Sequence, residues 1–264
     1  MDYQLKNKKA LVSGSTAGIG FAIAESLAAE GATVIINGRT EKRVNDAISS
    51  IKAKYPTANL IAAPFDLSKK EAVLHLFKAQ PSVDILVNNL GIYETKDFAD
   101  ITDEDWLAIF DMNVLSGIRL CRQYLPLMLK KNWGRIVFIS SESGLQIPSD
   151  MIHYGMTKTA QLAIARGLAE TTKGTAVTVN SVLPGPTKSE GIEPFLDKLC
   201  KENNKSVDEM EKELFATMRP SSLLERFLTP EEIAAMVTFI CSPLASGTNG
   251  AALTVEGGIV RSIA

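Results

Sequence analysis

The sequence predicts an α/β fold, a doubly wound parallel sheet with helices on both faces. Three observations lead there. Short β-branched or apolar runs alternate with helical stretches through most of the chain. The turns between them are short, which calls for right-handed crossovers and hence parallel strands covered on both sides. The first strand-like run ends in a glycine-rich turn, Gly14-Ser15-Thr16-Ala17-Gly18-Ile19-Gly20, that opens a helix.

The elements follow in order. Ala10-Leu11-Val12 is the first strand. Over residues 18–30, Ile19, Ile23 and Leu27 recur on one helical face. Thr33-Val34-Ile35-Ile36 and Leu60-Ile61-Ala62 are the next two strands. Ser68 with Glu71 resembles a helix N-cap with an acid at the third helical position, and Thr102 with Asp105 and Thr229-Pro230 with Glu232 repeat the signal. Asp84-Ile85-Leu86-Val87, Arg135-Ile136-Val137-Phe138-Ile139, Val177-Thr178-Val179 and Leu253-Thr254-Val255 supply the remaining strands. Residues 106–129 and 154–169 read as long helices. Their apolar positions, Leu115, Ile118, Leu125 and Met128 among them, exceed what one sheet face covers. With no repeat, linker or low-complexity segment, residues 1–264 are expected to form a single domain.

One stretch breaks the rhythm. Between Thr187 and Leu228 there is no strand-like run. A short helix is expected near 194–201, and a second over 206–218, opened by a capping box of Ser206 and Glu209. Val207, Met210, Leu214 and Met218 make its apolar stripe, and Asp208, Glu209, Glu211 and Lys212 its wet face. Residues 188–228 are therefore expected to form a helical lid, with the stripe turned toward a pocket or else packed on the domain or on a neighbouring subunit.

Bulk properties narrow the function by exclusion. The 264 residues suit one α/β sheet, and 45% hydrophobic with 22% charged residues is an ordinary globular balance. A formal charge of −2 with no basic block argues against nucleic acid or an anionic membrane as the main partner. The opening residues lack the apolar core of a signal peptide, and no apolar run is long enough to span a bilayer. Cys121, Cys200 and Cys241 read as free thiols of a reducing compartment, with no zinc-site spacing, so a cytoplasmic location is expected.

Chemistry enters with Tyr154 and Lys158, four residues apart and thus on one helical face, thirteen residues after Ser141. A phenol beside an ammonium can act as proton donor and acceptor near neutral pH. A glycine turn that closes a strand and opens a helix can hold a pyrophosphate. Together they point to redox chemistry on a carbonyl or alcohol, with a dinucleotide carrying the hydride. Ser141 lies just past a strand end, where open α/β sheets place ligands.

Six motifs in register resemble the short-chain dehydrogenase/reductase family, its 3-oxoacyl-carrier-protein reductase-like members in particular. Residues 13–20 match TGxxxGIG with Ser13 for Thr, and Asn88-Asn89-Leu90-Gly91 matches NNAG with Leu90 for Ala. Asn113, Ser141, Tyr154-x-x-x-Lys158 and Pro184-Gly185 follow in the family's order and spacing. The resemblance covers nearly the whole chain, with the insertion after Thr187 least typical. It implies a Rossmann-type sheet. Tyr154 would be the general acid in reduction and the base in oxidation. Lys158 would favour the phenolate and bind the nicotinamide ribose. Ser141, preferred over Ser140 for its gap to Tyr154, would bond the substrate oxygen, and Asn113 would hold a water linking Lys158 to solvent. Gly14, Ser15, Thr16, Gly18, Ile19 and Gly20 would surround the pyrophosphate. Asp66 would bond the adenine amine, Asn88 would line the adenosine side and the Thr187 hydroxyl would meet the nicotinamide carboxamide; Leu67, Gly91, Pro184 and Gly185 would also contact the cofactor. Ile92, Tyr93, Leu145, Ile147 and Pro186 imply a partly apolar substrate pocket. A homodimer or homotetramer is also implied.

Cofactor choice turns on Asn37-Gly38-Arg39-Thr40 at the end of the second strand. An NAD enzyme carries a carboxylate there for the ribose hydroxyls. Here Gly38 takes that position, and the planar fork of Arg39 suits a 2′-phosphate. NADP(H) is the expectation. NAD(H) stays open, because Ala17 replaces the basic residue some NADP members carry inside the turn. His153 is expected at the pocket rim, His75 on the surface, and Glu142 either at the substrate or on a solvated loop. The competing functions are an NAD-dependent alcohol dehydrogenase and a dinucleotide-binding regulator without catalysis. The complete set Asn113, Ser141, Tyr154 and Lys158 counts against the second.

Overall fold

The computed structural model describes residues 2–189 and 193–262. The strands are β1 (Lys9–Val12), β2 (Thr33–Gly38), β3 (Leu60–Pro64), β4 (Ile85–Asn88), β5 (Gly134–Ile139), β6 (Val177–Pro184) and β7 (Ala252–Val255). They form one sheet in the order β3-β2-β1-β4-β5-β6-β7, and every pairing is parallel. The helices are α1 (Gly18–Ala29), α2 (Glu41–Lys54), α3 (Lys70–Ala79), α4 (Asp103–Phe110), α5 (Ser116–Lys131), α6 (Ile152–Glu170), α7 (Glu193–Asn203), α8 (Val207–Met218) and α9 (Pro230–Cys241).

Alternate residues of each strand point to opposite faces, and each face has its own core. Val12, Val34, Ile36, Val87 and Val137 pack with Ile23 and Leu27 of α1, Val44 and Ile51 of α2, and Ile233 and Val237 of α9. Leu11, Ile35, Leu86, Ile136 and Val179 pack on the other side with Leu76 of α3, Leu120 and Tyr124 of α5, and Ala165 of α6. Strand order reverses between β1 and β4. Beyond the carboxyl ends of those two strands lies the crevice where such sheets bind ligands.

Four sequence expectations are corrected. The helix expected over 106–129 is two helices joined by a π-helical segment, Asp111–Leu115, which contains Asn113. Its side chains resemble those of an ordinary helix, so periodicity does not reveal the wider turn. Leu125 and Met128 are buried in the core, and so are not free to meet a partner. Ser68 does not cap α3; its hydroxyl donates to Asp66 Oδ1 at 2.7 Å, and Lys69 occupies the cap position. The α8 stripe is also split. Val207 is exposed and Met210 joins Leu196, Phe215 and Phe227 in a small core belonging to the insertion itself, whereas Leu214 and Met218 line a pocket as expected. The boxes at Thr102/Asp105 and Ser206/Glu209 form as expected.

Residues 190–192 of the expected lid lie outside the described residues. Its two ends leave the sheet side by side. Thr187 and Leu228 form a parallel bridge, Leu228 N–H donates to Pro186 O at 2.9 Å, and Lys188 N–H donates to Leu228 O at 2.8 Å.

Candidate active site

The glycine turn is fixed from three sides. Gly14 N–H donates to Asn37 Oδ1 at 3.0 Å, while Asn37 Nδ2 donates to the carbonyls of Ala63 and Phe65. The Ser15 hydroxyl, fully buried, donates to Val12 O at 2.8 Å and accepts from Asn37 N–H. Asn89 Nδ2 donates to the carbonyls of Ser13 and Gly14 at 3.0 and 3.1 Å. Gly14 and Gly18 have φ of +63° and +56°, a region that favours glycine. A Cβ on Gly20 would stand 2.3 Å from Gly14 O. The helix that follows, α1, has no side-chain cap and no acid in its first turn. Its first N–H groups thus face a turn cleared of side chains, which suits a pyrophosphate. Asn37 and Asn89 escaped notice as site residues because their part is to hold backbone, and neighbouring strands reveal that only once paired.

Tyr154 and Lys158 lie on α6, across from Ser141 at the end of β5. Both serines border the cleft; the Ser140 hydroxyl donates to Lys158 O at 2.9 Å and the Ser141 hydroxyl to Glu142 Oε2 at 2.5 Å. Lys158, 5% exposed, donates from Nζ to Ile139 O at 2.9 Å. Asn113 sits in the π segment, and its side chain is committed on all sides. Nδ2 donates to Ile92 O and Thr157 Oγ1, and Oδ1 accepts from Ile92 N–H. Gln161, one turn beyond Lys158, donates to Asn113 O at 2.6 Å and accepts from Lys158 Nζ at 3.4 Å. Sequence reading missed Gln161, although its spacing from Lys158 was a signal.

Electrostatics in this pocket is dominated by burial. Burial pushes the Tyr154 phenol up, the Glu142 carboxylate adds to the rise, and Ser141 and Arg219 oppose it. Lys158, expected to favour the phenolate, is itself brought down to about 8 by burial, with Glu142 pulling it back up. Glu142 is no solvated loop acid. It is 4% exposed, and it accepts hydrogen bonds from Ser141, Ser143 and Arg219. His153 is not at the rim either. It is buried against Trp106, with ring centroids 5.9 Å apart. His75 is exposed, as expected.

A cleft of about 650 Å³ joins these groups. Ile19, Asn89 and Gly91 border one end, and Ser141, Tyr154 and Lys158 stand within it. Pro184, Gly185, Pro186 and Thr187 form another wall, and Leu214, Phe215, Met218 and Arg219 close over it from the insertion. The Thr187 hydroxyl donates to Gly185 O at 2.8 Å, leaving its lone pairs as acceptors. Ile92 and Tyr93 line the cleft, while Leu145 and Ile147 do not. Arg39 is exposed at the end of β2. Asp66 accepts from Ser68 through Oδ1. The Leu67 side chain is fully buried in the core, leaving only backbone to face a ligand. Asn88 departs from expectation: its Nδ2 donates to Cys121 Sγ at 3.4 Å beneath the cleft, and its buried Oδ1 finds no partner.

A dinucleotide turn at the switch point, with a serine, a tyrosine and a lysine converging beyond the strand ends, defines a nicotinamide-dependent oxidoreductase. The chain belongs to the short-chain dehydrogenase/reductase family. Residues 14–260 match the family model described as enoyl-(acyl carrier protein) reductase. The uncharacterized oxidoreductase YvaG of Bacillus subtilis is 51% identical, with all of both chains covered. The 3-oxoacyl-[acyl-carrier-protein] reductase FabG of Aquifex aeolicus is 34% identical over 98% of this chain and 100% of its own. Among solved structures, L-sorbose reductase from Gluconobacter frateurii, complexed with NADPH and L-sorbose, superposes with a TM-score of 0.92 at 28% identity, with both chains fully covered.

Proposed function

We propose that the protein is an NADP(H)-preferring reductase of ketones or aldehydes in which Tyr154 is the general acid and base. The observation that carries this reading is the convergence of Ser141, Tyr154, Lys158 and Thr187 on one cleft that runs on past Gly91 toward the glycine turn. The bound dinucleotide supplies or accepts the hydride. Tyr154 gives its proton to the carbonyl oxygen as the alcohol forms, and takes one back in the reverse direction. Ser141 stands next to it to bond that oxygen as charge develops. Lys158 binds ribose hydroxyls, and Asn113 with Gln161 fixes the helix and the ammonium in place.

The preference for NADP(H) rests on the exposed guanidinium of Arg39 beside Gly38, where no carboxylate stands to repel a 2′-phosphate. L-sorbose reductase and YwfH, both described with NADPH, share the fold and agree with this choice. Among the described residues no helix is long and apolar enough to cross a membrane, and the three cysteines are free. These facts are consistent with our reading of a cytoplasmic enzyme. Half-buried Leu115 at the end of the π segment, with half-buried Ile118 and exposed Leu127 on α5, leave a surface for a dimer or tetramer.

Tyr154→Phe tests the assignment. NADPH binding, followed by nicotinamide fluorescence, should persist. Turnover on a panel of short aldehydes, ketoses and 3-oxoacyl thioesters should fall by about 10²- to 10⁴-fold. Turnover within about twofold of the parent would remove Tyr154 from its role.

A further inference from the structure

Glu142 is the most enclosed carboxylate in the cleft, and neither the proton transfer nor dinucleotide binding, as described, uses it. It follows Ser141 directly, in a 3₁₀ turn formed by Glu142–Gly144. Its Oε2 accepts the Ser141 hydroxyl at 2.5 Å. Its Oε1 accepts the Ser143 hydroxyl at 3.2 Å and Arg219 Nε at 3.3 Å. Arg219 comes from a distant part of the chain. It is the C-cap of α8, on the insertion, and a second nitrogen of its guanidinium donates to Met218 O. The ion pair therefore spans the cleft from the strand-end loop to the lid. Both partners are largely shielded, with side-chain exposures of 5% and 18%.

Two consequences follow from the geometry. A hydroxyl has a single proton. While Ser141 gives that proton to Glu142 and accepts the Ser143 N–H at 3.1 Å, it has one lone pair left for the cleft and cannot donate to a substrate oxygen. A carboxylate this close to Tyr154 also disfavours the phenolate, and a guanidinium on the far side of the carboxylate offsets it. The charged and titratable groups that face Glu142 are Arg219 from α8 and Tyr154 and Lys158 from α6. Tyr93, on the loop after β4, packs edge-on against Tyr154 with centroids 6.3 Å apart, and Glu94 lines the same cleft.

We propose that Glu142 and Arg219 are a pair of positioning residues that tie closure of the insertion to the chemistry. Glu142 sets the direction of the Ser141 hydroxyl and the charge that Tyr154 faces. Arg219 sets how much of that charge is left uncompensated. When α8 is docked, as in this structure, Arg219 on Oε1 offsets part of the Glu142 charge, while Oε2 still holds the Ser141 hydroxyl until a substrate oxygen draws its proton away. When α8 swings away, the bare carboxylate keeps Ser141 turned aside and Tyr154 protonated. A higher phenol pKa makes Tyr154 a weaker acid toward the carbonyl oxygen and leaves less phenolate to act as base, so proton transfer in both directions is favoured in the covered site. The proposal rests on Tyr154 as the acid and base.

The test is the pH profile of kcat/KM in both directions, using whichever panel compound is reduced fastest and its alcohol. Reduction needs the protonated phenol and fails as pH rises through its pKa; oxidation needs the phenolate and improves there. Glu142→Gln removes a negative neighbour, so both limbs should move down by about half to one pH unit. Arg219→Met removes a positive one, so both should move up by a similar amount. In the double variant Glu142→Gln/Arg219→Met the two shifts should largely cancel. NADPH fluorescence titration of each variant confirms an intact fold. Pure loss of turnover with unmoved limbs would mean a structural role only and overturn the proposal. Shifts in the same direction for both single variants would overturn it too. If Tyr154→Phe leaves turnover intact, the assignment beneath it fails instead, and the two failures are told apart by that variant alone.

Discussion

At the scale of single residues, cofactor choice is the sharpest question. Arg39→Ala should weaken NADPH by about 10- to 100-fold, the worth of one or two charge-assisted hydrogen bonds. NADH, with no 2′-phosphate, should change little. Fluorescence titration with both dinucleotides decides it; equal losses would mean that Arg39 does not meet the phosphate. The complementary change Gly38→Asp is a poorer probe. A Cβ there would stand 2.5 Å from Thr16 Cγ2, so the turn must adjust before any carboxylate is felt. Residue types and spacings made Ser141, Tyr154 and Lys158 legible in the sequence. Glu142 was not legible, because its burial and its tie to Arg219 exist only once residues 77 positions apart meet. His153 failed the opposite way. The helical step of about 100° from Tyr154 points to the pocket rim in the sequence, but in the fold that step turns it inward, buried against Trp106.

At the scale of elements, the insertion differs most from its surroundings. Its core is small, with Leu196, Met210, Phe215 and Phe227 buried together; Lys188 pairs with Glu211 at its base, and Arg219 with Glu142 and Arg226 with Glu232 tie it to the rest of the molecule. So few buried contacts place it at the low end of local stability. Amides of α7 and α8 should exchange faster than those of β4 and β5 in the free protein, and slow when NADPH and substrate are both bound. Hydrogen exchange by mass spectrometry reads both states; strong, equal protection in each would make the segment a fixed wall. The sequence showed the two helices and the capping box at Ser206, since caps and periodicity are local. It did not show which way the α8 stripe faced, because a stripe fits any apolar neighbour, and here α7 and Phe227 took half of it. The π segment was hidden for a related reason: widening one turn needs no change in residue type.

At the scale of the whole molecule, the sheet was the easiest part to read. Parallel strands covered on both faces are near-continuous apolar runs, and the central strands of this chain read plainly as such, whereas β7 at the edge is alternately exposed. Assembly was harder, since Leu125 and Met128, which looked like surplus, belong to the core. Exposed Leu107 on α4 and Leu127 on α5 remain as candidates for a shared face. Light scattering at micromolar concentration should give the mass of a dimer or tetramer, and Leu107→Glu with Leu127→Glu should lower it if these helices meet. A monomer mass for the parent protein would contradict the assembly. The bridge between Thr187 and Leu228 has a separate consequence, for how such a chain can diversify. A detour that departs and returns at one spot adds little strain to its host, and the entropy of closing it grows only slowly with its length. The segment between those residues can be trimmed, extended or exchanged for another without disturbing strand register, so the range of molecules admitted can drift while Ser141, Tyr154 and Lys158 stay where the sheet and α6 hold them, provided a cation still stands where Arg219 meets Glu142.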